Sequence, residues 1–172
     1  TSNEAGGFRI GGTAPGEANV IAYNNGYYAL GLPVGVLVYN SSKQIPIRGN
    51  SIHDNENLGL SMNGGPTAND PLDADTGSNN QQNFPIVRSV EYGNSTTRVL
   101  AKFNSAASTT YILDFYANPP CLRFPREFLE GETYLGASQI TTRSSSSAPS
   151  VAKTPSALGP TVRAFGSVRP ST

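Results

Sequence analysis

The stretch NVIAYNN, residues 19–25, decides the reading of the fold once it is set over NSIHDNE, residues 50–56. Asn19 then meets Asn50, Ile21 meets Ile52 and Asn24 meets Asn55, an offset of 31 residues. A second alignment, GVLVYN from Gly35 over GLSMNG from Gly59, brings Val36 to Leu60 and Val38 to Met62 at an offset of 24. The insertion within NGYYALGLPV, which lengthens the first copy by seven residues, accounts for the difference. The repeat is therefore near 24 residues, with one expanded loop.

Each copy holds only short β-prone patches, such as GVLV, IPI and SI, between Asn, Gly and Ser. Patches this short cannot close an isolated sheet over a core. They can pair in parallel with their counterparts in the next copy, with Val36 and Val38 pointing inward on the two-residue period of a strand. The reading that follows is a short parallel β-helix over 1–62. Asparagine tolerates left-handed backbone at a corner, and stacked carboxamides can hydrogen-bond along the stacking direction. Asn19, Asn24, Asn50 and Asn55 are the expected structural ladder. Pro46 lacks an N–H and is expected on the open side of the last strand layer, with residues 63–84 as a capping linker over that end.

Composition agrees with turn-rich β structure. The 172 residues include 18 Gly, 13 Pro and no Trp, and 12 basic side chains balance 12 acidic ones. A net charge of zero offers no general attraction for nucleic acid or anionic membrane, and no long apolar run or leader-like start is visible, so neither nucleic-acid binding nor membrane insertion is expected. The zero hides a gradient: residues 1–83 carry three bases against seven acids, residues 84–142 five against five, and residues 143–172 four bases and no acid. The single cysteine, Cys121, has no internal disulfide partner and reads as a free thiol.

From Pro85 the pattern changes to strand alternation. TRVLAKFNS puts Val99, Ala101 and Phe103 on one side, and TTYILDFYANP puts Tyr111, Leu113 and Phe115 opposite Ile112, Asp114 and Tyr116. That is the pattern of antiparallel strands with one core face and one wet face. About four strands fit between 85 and 142, so an incomplete Ig-like β-sandwich is expected there. Residues 143–172 hold eight Ser, four Pro and two Gly, and are expected to be a disordered tail, as from a shifted reading frame.

IGGTAPGEANVIAYN, RGNSIHDN and NDPLDADTGSNNQQNFPIV resemble the carboxy-terminal end of the right-handed parallel β-helix repeat region of large bacterial secreted or surface proteins. YILDFYANPPC and EGETYLGASQITT resemble the sandwich module that follows it. The resemblance spans about residues 8–142 and implies an adhesin-like stalk or surface outside the cell. The functional expectation is a non-catalytic structural or adhesive module that binds polysaccharide or a cell-surface glycan. The alternative is a fragment of a polysaccharide-active lyase or hydrolase whose catalytic coils lie upstream.

Two places carry candidate chemistry. Asp70, Asp73 and Asp75, followed by Gly77 and Asn79, give alternating carboxylates on a tight turn, the hard-oxygen donor set that calcium takes. The same aspartates would also serve as Asx-turns bonding nearby backbone N–H groups, and Gln82 and Phe84 do not complete an EF-hand. Tyr23, Tyr27 and Tyr28 form a candidate sugar-stacking patch, or else anchor the inserted loop by packing. His53 with Asp54 is the one histidine–carboxylate neighbour pair, and no second carboxylate is aligned with it in the other copy; no catalytic residue is assigned.

Overall fold

The computed structural model describes residues 8–25, 33–40, 42–65, 67–93, 96–119, 130–143, 149–155 and 161–167, the last two as backbone. The fold is all-β, with two short 3-10 turns at Pro71–Asp73 and Ser78–Gln81. Six strands of two or three residues come first: β1 (Ile10–Gly11), β2 (Val20–Ala22), β3 (Val36–Val38), β4 (Ile47–Arg48), β5 (Ser51–His53) and β6 (Leu60–Met62). The first three pair in parallel with the next three, as β1–β4, β2–β5 and β3–β6. Ile21 lies opposite Ile52, Val36 opposite Leu60 and Val38 opposite Met62, the partners that the repeat alignment places together.

What this pairing builds is not the expected solenoid. Each of the three parallel sheets is only two strands deep. The apolar centre is a local cluster of Val36, Val38 and Ile52, flanked by Ile10, Ile21, Ile45, Ile47, Leu60 and Met62, not a continuous column. The right-handed β-helix reading is corrected accordingly: two copies of a repeat suffice to pair strands, and nothing in two copies makes the pairing propagate.

Three different contacts meet the chain of the second copy, one just before β4, one on β5 and one on β6. Ile52 exchanges two backbone hydrogen bonds of 2.8 Å with Gly131, Met62 bridges Gly65, and the carboxamide of Asn79 bonds both N–H and C=O of Ile45 at 2.9 Å. A paired edge position is closed to other chains, so at these points pieces of linker and sandwich stand where a further strand would pair. Pro46 departs from expectation. Its carbonyl accepts from Ile10 N at 2.9 Å, so it faces β1, and its missing N–H is harmless because it stands just before the start of β4.

Among the described residues the second half has six strands: β7 (Ile86–Tyr92), β8 (Thr96–Lys102), β9 (Thr110–Asn118), β10 (Thr133–Thr141), β11 (Pro149–Pro155) and β12 (Thr161–Ser167). They form two antiparallel sheets, in the orders β11–β8–β7 and β10–β9–β12. Val99 of β8 packs with Leu113 and Phe115 of β9, joined by Val87, Val90, Leu135 and Ile140, so the core lies between the sheets. The tail expected to be disordered supplies β11 and β12, which pair with β8 and β9. Pairing with a strand already held in a sheet needs backbone donors and acceptors rather than an apolar alternation, and the two prolines of β11 stand at its ends, where a ladder tolerates them.

β9 has no wet face. Asp114 and Tyr116 are 1% and 6% exposed, because the parallel unit lies against them. Arg48 of β4 meets Asp114 in a two-pronged ion pair, Nε to Oδ2 at 3.0 Å and Nη2 to Oδ1 at 2.6 Å. The adjacent Gly49 N donates to the Tyr116 hydroxyl at 3.0 Å. Gly49 has φ +68°, and a Cβ there would run into the Gly12 carbonyl, so only glycine permits this approach. Tyr116 stacks edge-on against Tyr134, with ring centroids 5.5 Å apart. Burial pushes the Tyr116 hydroxyl far above its ordinary range, which keeps it a neutral partner for Gly49.

Candidate functional site

The linker between the two halves brings the three aspartates together. Pro71 starts a tight turn, and Leu72 and Asp73 both take left-handed backbone, with φ 62° and 59°. This folds the chain back so that one carboxylate oxygen from each of Asp70, Asp73 and Asp75 lies within 4.8 Å of the others.

Their hydrogen bonding is unequal. Asp73 is fully engaged: Oδ1 accepts from Asn83 N and Oδ2 from the Ser105 hydroxyl, both at 2.7 Å. Asp70 uses Oδ2 to accept from Ala74 N at 2.9 Å, a side-chain turn of the kind the spacing also allows. Asp70 Oδ1 and Asp75 Oδ1 are buried atoms with no hydrogen-bond partner among the described residues. Burial raises the pKa of Asp73 above the ordinary 3.8, against the opposing bonds from Ser105 and Asn83, and the charge of Asp70 adds to the rise. Asp75 is raised as well, by burial first and then by Asp70 and Asp73. Half-buried carboxylates crowd together here, with two buried oxygens left over.

Hydrogen bonds attach this turn to both halves. Asn83 Nδ2 bonds the carbonyls of Asp70 and Asn104, Leu72 N donates to Asn104 Oδ1, and Ser105 continues to the Tyr111 hydroxyl at 2.8 Å. On the other side, the Ser78 hydroxyl donates to Asn63 Oδ1 and Asn79 N to the Ser42 carbonyl, both at 2.7 Å. Asn79, Asn80 and Gln81 all have positive φ, and asparagine suits that backbone better than most residues.

The four asparagines of the repeat lie in two pairs. Asn50 Oδ1 accepts from the backbone N and side-chain Nδ2 of Asn19, at 3.1 and 2.9 Å, while its own Nδ2 donates to the Ile10 carbonyl at 2.8 Å. Asn55 Oδ1 treats Asn24 alike, at 3.2 and 2.7 Å. Asn50 and Asn55 are buried, at 1% and 8% exposure. The left-handed corner positions are Tyr23 and Asp54, each one residue ahead of a ladder asparagine, rather than the asparagines themselves. Sequence inspection missed Glu130: its Oε1 accepts from Asn55 N at 2.8 Å and Asn55 Nδ2 at 3.0 Å. No local pattern marks a partner 75 positions away.

Tyr23 is exposed and meets His53 edge-on, with centroids 5.9 Å apart, and His53 Nδ1 lies 2.9 Å from Asp54 Oδ2. Tyr27, Tyr28 and Cys121 lie outside the described residues.

No family model, no curated protein and no solved structure matches the chain. The resemblance to bacterial β-helix repeat proteins is overturned on both counts, by the absence of a family match and by parallel sheets that stop at two strands. Among the described residues no helix is long and apolar enough to cross a membrane.

Proposed function

We propose that the chain is a non-catalytic structural or adhesive module of an extracellular or cell-surface protein, and that Asp70, Asp73 and Asp75 hold a calcium ion in its linker. The observation that carries the calcium reading is the pair of buried oxygens, Asp70 Oδ1 and Asp75 Oδ1, that find no hydrogen-bond partner among the described residues, in a cluster where the charges of Asp70 and Asp73 act on Asp75. Native proteins rarely leave buried carboxylate oxygens without a partner, and a divalent cation would satisfy both at once while removing the repulsion. The donors are all oxygen, which favours calcium or magnesium over zinc or copper, and the irregular turn suits the flexible coordination of calcium better than the strict octahedron of magnesium. The structural reading is supported by where the turn sits, with hydrogen bonds to Ser105 on one side and through Asn79 to Ile45 on the other. An ion there would fix the junction of the two halves.

Calorimetry of the whole chain after chelation, with calcium then added back, tests this. Saturating calcium at about a hundred times its Kd is expected to add about 2.7 kcal/mol of stability, read as a higher Tm. Zinc should not substitute. An identical Tm with and without calcium, together with no heat of binding, removes the ion from the linker.

A further inference from the structure

The corner that ends β2 and β5 is a surface feature held by several hydrogen bonds that neither the fold nor the linker accounts for. Tyr23 and Asp54 hold left-handed backbone, φ 58° and 52°, at equivalent positions of the two repeat copies. Such a conformation is unfavourable for a tyrosine and persists only where the surroundings fix it. Here the Asn24–Asn55 pair, the Asn55 bond to the Ile21 carbonyl and the Glu130 bonds to Asn55 fix it. The effect is to present a tyrosine that is 69% exposed. Beside it, Asp54 bonds the His53 ring, whose side chain is 19% exposed and so reaches the surface only at its margin, while Asp54 itself is largely in solvent. The strand register places Ala22 against His53 and Val20 against Ser51, which extends the patch with the exposed Val20.

We propose that Tyr23, His53 and Asp54 form a binding site for an uncharged pyranose unit of a polysaccharide. The apolar C–H face of a pyranose packs on an aromatic ring, and its neighbouring hydroxyls need a carboxylate acceptor and an imidazole nitrogen within reach. The two corner segments, 19–25 and 50–56, contain Asp54 and Glu56 and no Lys or Arg, so an acidic glycan is disfavoured. This rests on the adhesive half of the function proposed above and is independent of the calcium ion.

His53 is the single histidine, so its ring proton resonances report on the site without ambiguity. The whole chain is titrated, with chelator present, with linear oligomers of glucose, mannose or xylose, and with an oligomer of galacturonic acid for contrast. At least one neutral oligomer is expected to give a saturable His53 shift, with Kd on the order of 1 mM. Tyr23→Ala should weaken binding by about tenfold, whereas Tyr23→Phe should retain it. Asp54→Asn, which suits the same backbone, should also weaken it and serves if Tyr23→Ala does not fold. No saturable shift with any neutral oligomer, equal binding of the acidic one, or unchanged affinity in both weakening variants overturns the site. A shift accompanied by shortening of the oligomer keeps the site and overturns the non-catalytic reading. Absence of calcium binding leaves the shift in place, so the two proposals fail separately.

Discussion

The parallel unit and the sandwich solve one problem in opposite ways. In the sandwich, strands of seven to nine residues satisfy their backbone groups in long antiparallel ladders, and Val99, Leu113 and Phe115 meet between the sheets. In the parallel unit, strands of two or three residues leave most of the backbone outside any ladder, and side-chain amides take over. Asn50, Asn55 and Asn79 each bond backbone groups of segments more than thirty positions away. One half thus relies on apolar packing along long strands, while the other adds buried polar groups at fixed points to its small cluster around Val36, Val38 and Ile52. The polar solution is the less forgiving, because a lost partner leaves a desolvated group behind.

The strongest way to break this contrast is at the joint. Arg48 belongs to the parallel unit and Asp114 to the sandwich, and the carboxylate is almost wholly buried. Replacing Arg48 with Met leaves Asp114 desolvated and unpaired, at a cost of about 3–5 kcal/mol, while the double variant Arg48→Met with Asp114→Leu recovers much of that loss. Denaturant unfolding read by far-ultraviolet circular dichroism measures both. If the two halves unfold as one, Arg48→Met shifts a single transition. If they are independent, the transition splits, and only the parallel unit is lost early.

A smaller effect sharpens the comparison inside the parallel unit. Asn50→Ala removes the acceptor for Asn19 and the donor to Ile10 at a site that is 1% exposed, and is expected to destabilise by about 2–3 kcal/mol in the same measurement. Asn19, the exposed member of the pair, can turn to water, so Asn19→Ala should cost about 1 kcal/mol or less. Equal costs at the two positions would mean that the ladder acts through chain geometry rather than through buried hydrogen bonds.

These residues also show how much was legible in the sequence. The pairing of Ile21 with Ile52 and of Val36 with Leu60 could be read, because both members carry the same local pattern and register follows from matching patterns. The alternation of Tyr111, Leu113 and Phe115 marked the sandwich core for the same reason. Extending the repeat into a solenoid was an error of extrapolation, since two copies fix a pair and say nothing of a third. The second face of β9 is hidden in the sequence because Asp114 looks like a solvent residue until Arg48 is brought against it from 66 positions away. The tail strands do not show in the sequence because Ser and Pro report poor apolar burial, whereas β11 and β12 pair through the backbone with β8 and β9. Of the candidate site, the aspartates were visible in their spacing; the surplus oxygens depend on Asn83 and Ser105 engaging Asp73, which only the fold reveals.

The linker, which belongs to neither half, gives the smallest effect and the most distinctive sign. Without calcium, Asp73 and Asp75 in the folded chain have pKa values above the ordinary 3.8, so the native state holds protons that the unfolded state has already released. Stability attributable to them is therefore greatest below 3.8 and is lost as pH rises through their folded values, the reverse of ordinary acid denaturation. Asp114 is raised as well, by burial against the opposing bond from Arg48, and contributes with the same sign, so the cluster must be isolated by substitution. Asp75→Asn removes one charge from the repelling group. In chelated protein it should raise the Tm at neutral pH by about 2 °C and flatten the fall of Tm with rising pH. The same substitution should erase the gain that calcium gives the native chain. A Tm that Asp75→Asn leaves unchanged in chelator would mean that the carboxylates are already relaxed by water, and the linker would then join the sandwich side of the comparison as ordinary, fully satisfied structure.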